Sequence, residues 1–203
     1  MKKYIQENII PRYDSFDAAH RRDHVETVIN QSLEIAENYD VNIDMVYAIA
    51  AYHDCGLCNG RENHHLDSGT IIRNDKQLAQ WFNADEIETM AQAAEDHRAS
   101  NSSAPRSIYG LIVAEADRVI DAATIVGRAI QYGLAHYPGL SRGQQIERAA
   151  EHLKEKYGDG GYMKLWIADS PNARRLEHLR TIIRDESALK ALCTKVFDRL
   201  DKK

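Results

Sequence analysis

Long apolar runs are missing from this chain of 203 residues. The longest, Met45 to Tyr52, has eight residues, against the roughly 20 needed to span a bilayer. The N-terminal Met1-Lys2-Lys3-Tyr4-Ile5 offers two lysines but no apolar core of a secretory signal. Neither a membrane segment nor a secreted protein is expected. Cysteine is scarce and odd in number, three in all, which argues against a disulfide framework and for a reducing, cytoplasmic compartment. A basic stripe is missing too. The 26 Lys and Arg are outnumbered by 31 Asp and Glu, and the net charge of −5 is spread through the chain, so a nucleic-acid-binding role is disfavoured. Sustained period-two alternation, internal repeats and low-complexity linkers are likewise absent. What is there, 43% hydrophobic and 28% charged residues, is the composition of an ordinary globular domain.

Apolar residues recur at helical spacing almost throughout, so the fold class expected is all-α. Val25, Val28, Ile29, Leu33 and Ala36 make one stripe; Ile43 to His53 reads as a buried helix stopped near Gly56. A short helix is expected within Leu66 to Leu78, another around Trp81-Phe82, and a further one over Ala84 to Asp96 after Asn83. Ser107 to Ala135 is the most apolar region and reads as a central helix. Tyr137-Pro138-Gly139 and Tyr157 to Gly161 punctuate the later helices. Ser170-Pro171-Asn172 reads as a helix start, with a last helix over Leu189 to Leu200. The whole, 1–203, is expected to be a single domain, with a core over about 20–125 and a C-terminal helical extension over about 140–203.

His53-Asp54 stands out, although nine His and 17 Asp in 203 residues make about one such dipeptide by chance. Its context changes its meaning, because it ends an apolar helix where polar side chains require partners. Asp117 sits in a second apolar stretch, Leu111 to Ile120, where a buried carboxylate costs several kcal/mol unless compensated. Arg118 points about 100° away around a helix and is a poor partner for it; Asp121 suits Arg118 better. A divalent metal answers for Asp117, His53 and Asp54 together, and His24 completes an N2O2 set with open positions.

The order His24, His53-Asp54, Asp117 resembles that of the HD-domain metal-dependent phosphohydrolases. The supporting segments run from Asp17 to Val28, from Ala51 to Gly56 and from Ala114 to Ala122. The last, with Gly127 to Gly133, is similar to a bacterial subgroup related to nucleoside triphosphate pyrophosphohydrolases. The resemblance implies an HD-type helical bundle with additional C-terminal helices. Its metal ligands would be His24, His53, Asp54 and Asp117, holding a divalent Mn, Fe, Ni or Co, with Mg an alternative, as one ion or two. Two further histidines fit a richer motif, His65 and His97, which with Asp54 would serve the chemistry by holding a second metal or contacting phosphate; His64 adjoins His65 one position earlier. His20, Arg22, Arg98 and Arg118 are candidate substrate contacts. Some HD nucleotidases carry a glutamate three positions after the Asp of the pair. Leu57 stands there here, so the general acid/base is unassigned.

Plainer readings exist for each feature. The quartet could be hydrogen-bonded core polars, His65 and His97 surface residues, and each arginine a solvated side chain. Cys55-Gly56-Leu57-Cys58 lacks a second C-x-x-C and a preceding strand, and reads as small residues packed beneath the metal. The function expected is hydrolysis of a small phosphorylated substrate, a nucleotide, with pyrophosphate release from a nucleoside triphosphate preferred. The alternatives are a nucleotide phosphomonoesterase or phosphodiesterase, or a catalytically silent HD module binding a nucleotide or a regulatory partner. A homodimer is left open.

Overall fold

The computed structural model describes residues 1–17, 20–99, 101, 103–118 and 120–200; Ala18, Ala19 and Val119 of the family-like segments lie outside them. Among the described residues every regular element is helical, and no helix is long and apolar enough to cross a membrane. The chain divides into two compact units, Met1–Val119 with Trp166–Ser170, and Ile120–Leu165 with Pro171–Lys203.

The first unit holds α1 (Lys2–Asn8), α2 (Arg22–Ala36), α3 (Ile43–Tyr52), α4 (His64–Asn74), α5 (Ala84–Asp96) and α6 (Ile108–Asp117), with 3-10 turns at Ile10–Ser15, Cys55–Asn59 and Leu78–Gln80. Its centre is α3, in which every residue from Met45 to Tyr52 is buried. That helix starts where Asn42 Oδ1 accepts the amides of Asp44 and Met45 at 3.0 and 3.3 Å, satisfying N–H groups that have no intrahelical partner. A capping box between Asn83 and Glu86 fixes the start of α5, and Ser107 caps α6. Ile5, Val28, Ile49, Met90 and Ile112 close the core.

The second unit holds α7 (Ala122–His136), α8 (Arg142–Tyr157), α9 (Pro171–Arg184) and α10 (Glu186–Leu200). Val126, Ile130, Leu153, Leu179 and Cys193 are its buried contacts. A Ser141/Gln144 capping box opens α8, and Gln145 reaches back from it to donate to the carbonyls of Gly133 and Tyr137 at the end of α7.

Four expectations need correction. Ser107 to Ala135 is not one helix: Arg118 leaves helical geometry at ψ 61°, and Asp121 turns extended to cap α7, accepting the Thr124 amide at 2.7 Å. Asp121 is therefore spent on the helix and does not serve Arg118. No helix covers Trp81-Phe82; the turn precedes it, at Leu78–Gln80, and Phe82 is buried ahead of the α5 cap. Finally, α4 begins at His64 and stops at Asp75, whose side chain accepts the Gln77 amide at 3.0 Å.

Candidate metal centre

Helix ends converge here. His24 lies in the first turn of α2, His53 caps α3 with Asp54 next to it, His64 opens α4, His97 caps α5, and Asp117 is the last residue of α6. Three of these ends are C-termini, whose unsatisfied carbonyls carry partial negative charge and favour a cation.

Asp54 is the hinge of the arrangement. Its backbone, at φ −109° and ψ 6°, occupies the sparsely allowed bridge region between helix and strand, and its side chain is nearly inaccessible. Oδ2 lies 3.2 Å from His53 Nε2 and 3.6 Å from His24 Nε2, while Oδ1 lies 3.3 Å from His97 Nε2 and 3.5 Å from His64 Nε2. Asp117 Oδ1 faces the first pair, 3.3 Å from His24 Nε2 and 3.8 Å from His53 Nε2. The result is two adjoining triads, His24-His53-Asp117 and Asp54-His64-His97, with the ligand atoms of each within 4.8 Å of one another.

The ring tautomers are set by the backbone. A carbonyl can only accept, so the Nδ1–H groups of His53, His97 and His64 donate to Ala50, Ala94 and Arg61 at 2.7, 2.6 and 2.9 Å. That leaves each neutral ring's Nε2 lone pair aimed inward. The Nε2 atoms of His24 and His53 are buried with no well-formed hydrogen bond; the polar atoms nearest them are carboxylate oxygens of Asp54 and Asp117, which offer the lone pair of a neutral ring no donor, a costly state. Inward lone pairs, two low-lying carboxylates and orphaned nitrogens together fit a divalent cation, and imidazole with carboxylate suits first-row transition ions.

Charge follows the same geometry. Burial disfavours the charged form of His24, but Asp117 and Asp54 outweigh it and lift its pKa to about 9. His97, also opposed by burial, is raised by Asp54 and Asp117. Burial pushes the Asp54 carboxyl up, yet His53, His24 and His97 hold it well below the usual carboxylate range; Asp117 is likewise held low against burial by His24, His53 and His97. His64 is lowered by burial.

Of the residues singled out in the sequence, the structure brings together His24, His53, Asp54, His97 and Asp117. At the second triad it is His64, not His65, that reaches Asp54. The reason is register: His64 falls in line with the buried Ser68 and Ile72 at i+4 and i+8, whereas His65 lies about 100° around the helix. That stripe could have been read from the sequence. His65 stands beside it, 5.6 Å between ring centroids, with its pKa lowered by burial and by Arg98. His20 donates to Asp17 and lies edge-on to His24, 5.7 Å between rings. Arg22 is engaged bidentately by Asp14 at 2.7 and 2.8 Å, and Arg98 donates to the Glu62 carbonyl at 2.5 Å. Arg118 differs from the expectation most. It is 6% exposed, donates to the His97 carbonyl at 2.8 Å and lies 3.5 Å from Asp117 Oδ2. It faces the ligands from behind, joining one member of each triad. Its proximity to Asp117 corrects the helical-wheel argument: with the helix ending at Asp117, the two side chains are no longer held 100° apart.

Three features escaped sequence reasoning. Gly56 accounts for how α4 reaches the site: a Cβ there would stand 2.0 Å from the His64 carbonyl oxygen and 2.6 Å from the Ser68 amide, and its own N–H donates to Ser68 Oγ at 2.9 Å. Only glycine permits that approach. Glu115, two residues before Asp117, is wholly buried and accepts the Trp166 amide at 2.8 Å and the Ser170 hydroxyl. Tyr13, from the first 3-10 turn, is wholly buried against the His53-Asp54 backbone. Cys55 is buried and Cys58 exposed, both free thiols, and neither belongs to a triad.

Comparison with known proteins gives three findings. Residues 21–121 match the family model of the HD domain, a span that contains all six triad residues. No curated protein matches the chain. The crystal structure of a predicted HD superfamily hydrolase from an uncultured Thermotogales bacterium is similar at a TM-score of 0.50 and 18% identity, over 73% of this chain and 83% of that one, a likeness of fold.

Proposed function

We propose that this chain, which belongs to the HD-domain family through residues 21–121 and is a metal-dependent hydrolase of that family, cleaves a phosphate ester or anhydride in a nucleotide, with pyrophosphate release from a nucleoside triphosphate as the preferred reaction. The observation that carries this reading is Asp54, whose two carboxylate oxygens each face a pair of inward Nε2 atoms.

His24, His53, Asp54 and Asp117 would hold a divalent ion, with Mn, Fe, Ni or Co suited to such ligands and Mg an alternative. His64, His97 and Asp54 would hold a second. Such an ion supplies Lewis acidity toward a phosphoryl oxygen and toward water. The chain itself supplies orientation. Backbone carbonyls lock the imidazole tautomers, and Arg118 ties the His97 carbonyl to Asp117. His20, His65 and Arg98 border the ligands on the outer side and would meet the charge of the phosphate oxygens. The preference for a nucleoside triphosphate rests on the likeness of the segments around Asp117 and Gln131-Tyr132-Gly133 to that subgroup. Against a catalytically silent module stands the complete ligand set.

The deciding experiment supplies the purified protein with manganese, cobalt, nickel, iron or magnesium and a panel of nucleotides beside a generic aryl phosphate. Turnover of a triphosphate with pyrophosphate as product is the expected result; a panel left untouched by every metal overturns the enzyme reading. Asp54→Ala should lose both metal and turnover, and retained turnover would refute the site.

A further inference from the structure

We infer that Tyr13, which lies N-terminal to the HD domain, is a positioning residue of the metal centre: its hydroxyl fixes the backbone on both sides of His53 and so sets the direction of the Asp54 carboxylate. This rests on the metal-dependent reading above.

The last carbonyls of a helix lack intrahelical partners, and at the end of α3 two of them are taken within the fold. The Ala50 carbonyl accepts His53 Nδ1–H at 2.7 Å. The Ala51 carbonyl accepts the Tyr13 hydroxyl at 3.0 Å, and the same hydroxyl oxygen accepts the Asp54 amide at 3.2 Å. One buried O–H thus spans residues 51 and 54, on either side of His53. The ring packs edge-on against Phe16, 5.2 Å between centroids, and stands 6.4 Å from the His53 ring, so the hydroxyl cannot swing away. Tyr13 is inaccessible to solvent, and water cannot readily replace the bridge.

The consequence for the metal ligands follows from the Asp54 backbone. At φ −109° and ψ 6° the residue leaves the helix without entering a second α-helical turn, and nothing in the helix ladder holds its amide. A rotation about this turn would carry both carboxylate oxygens off the two histidine pairs at once. Outer-shell partners of metal ligands are worth about 10–100-fold in metal affinity when removed, and Tyr13 occupies such a position through the main chain.

The test compares Tyr13→Phe, which deletes only the hydroxyl, with Ile9→Val, which removes buried volume from the same N-terminal segment. Cobalt affinity by chelator competition, the visible d–d spectrum of the cobalt protein and Tm are measured on the full chain. Tyr13→Phe is expected to weaken cobalt binding about 10-fold or more and to shift the spectrum, while Ile9→Val lowers Tm with affinity and spectrum unchanged. Wild-type affinity and spectrum in Tyr13→Phe overturn the inference alone, as does a loss of affinity in both variants in step with Tm. A wild-type protein that binds no cobalt overturns the metal reading and this one with it. Should Tyr13→Phe fail to fold, hydrogen exchange decides: an Asp54 amide protected at least 100-fold supports the bridge, and one exchanging as an open loop does refutes it.

Discussion

Protons and a divalent ion compete for one nitrogen at His24. In the metal-free protein burial disfavours the imidazolium, but Asp117 at 3.3 Å and Asp54 at 3.6 Å raise the pKa from 6.5 to about 9. Ligation needs the neutral ring. At pH 7 the nitrogen therefore carries a proton that the metal must expel, and the apparent association constant should climb about tenfold per pH unit before flattening near pH 9. Two units below that pKa the handicap is about 100-fold, or about 3 kcal/mol. His97, also raised, adds to the slope where a second ion binds. Stability runs the other way. A folded-state pKa lifted above the unfolded value of 6.5 contributes roughly 3 kcal/mol that is fully present below pH 6.5 and is lost as pH rises through about 9; the same attraction depresses the partner carboxyls and is counted once. The metal-free protein should thus lose Tm between pH 6.5 and 9, while the metal-saturated protein, whose affinity rises over that window, holds or gains. Calorimetric titration with manganese at several pH values, in buffers of different ionisation heat, counts the protons released; thermal unfolding with and without chelator reads stability. A flat affinity from pH 6.5 to 8.5 with no proton release would refute the assignment of His24 as a ligand charged by Asp117 and Asp54.

Substitutions at Gly56, Arg118 and Glu115 probe the framework, the first two with a control. Gly56→Ala places a Cβ 2.0 Å from the His64 carbonyl and 2.6 Å from the Ser68 amide, backbone atoms that cannot turn aside; a loss of about 1–3 kcal/mol in urea unfolding is expected, with weaker metal binding at His64. Gly133→Ala meets first the side-chain ends of Gln145 and Arg148 rather than backbone, so it should lose less, and equal losses would show that backbone approach at Gly56 is not the cause. Arg118→Met withdraws the donor shared by His97 and Asp117 and should cost about 10–100-fold in metal affinity; Arg118→Lys should recover part of it, and an unchanged affinity in Arg118→Met would make the contact incidental. Glu115→Ala removes the acceptor for the Trp166 amide. A loss of about 1–3 kcal/mol is expected, together with faster proteolytic cleavage within 166–170, and an unchanged cleavage rate would sever Glu115 from that segment.

Periodicity and capping chemistry are local, and where they rule the sequence was legible. The bounds of α5 follow from Asn83 and Glu86, and the burial of α3 from eight apolar residues in a row. Asp117 could be singled out because a carboxylate in an apolar run requires a compensating partner wherever the chain goes. Other features depend on partners far along the chain. No glycine or proline marks the break after Asp117; the helix ends there because Arg118 turns back to the His97 carbonyl, 21 residues away. Glu115 sits in the same apolar run as Asp117, and nothing local distinguishes a carboxylate that accepts an amide 51 residues on from one that faces histidines. Tyr13 meets Asp54 from 41 residues away. The sequence by itself determined helical class, the bounds of α3 and α5 and which residue types could hold a cation. Tertiary structure alone decided which atoms meet: Arg118 behind the ligands, and Asp54 between two triads. A helix announces its own period, but the direction of a side chain at a helix end is set by whatever long-range donor or acceptor completes the backbone there.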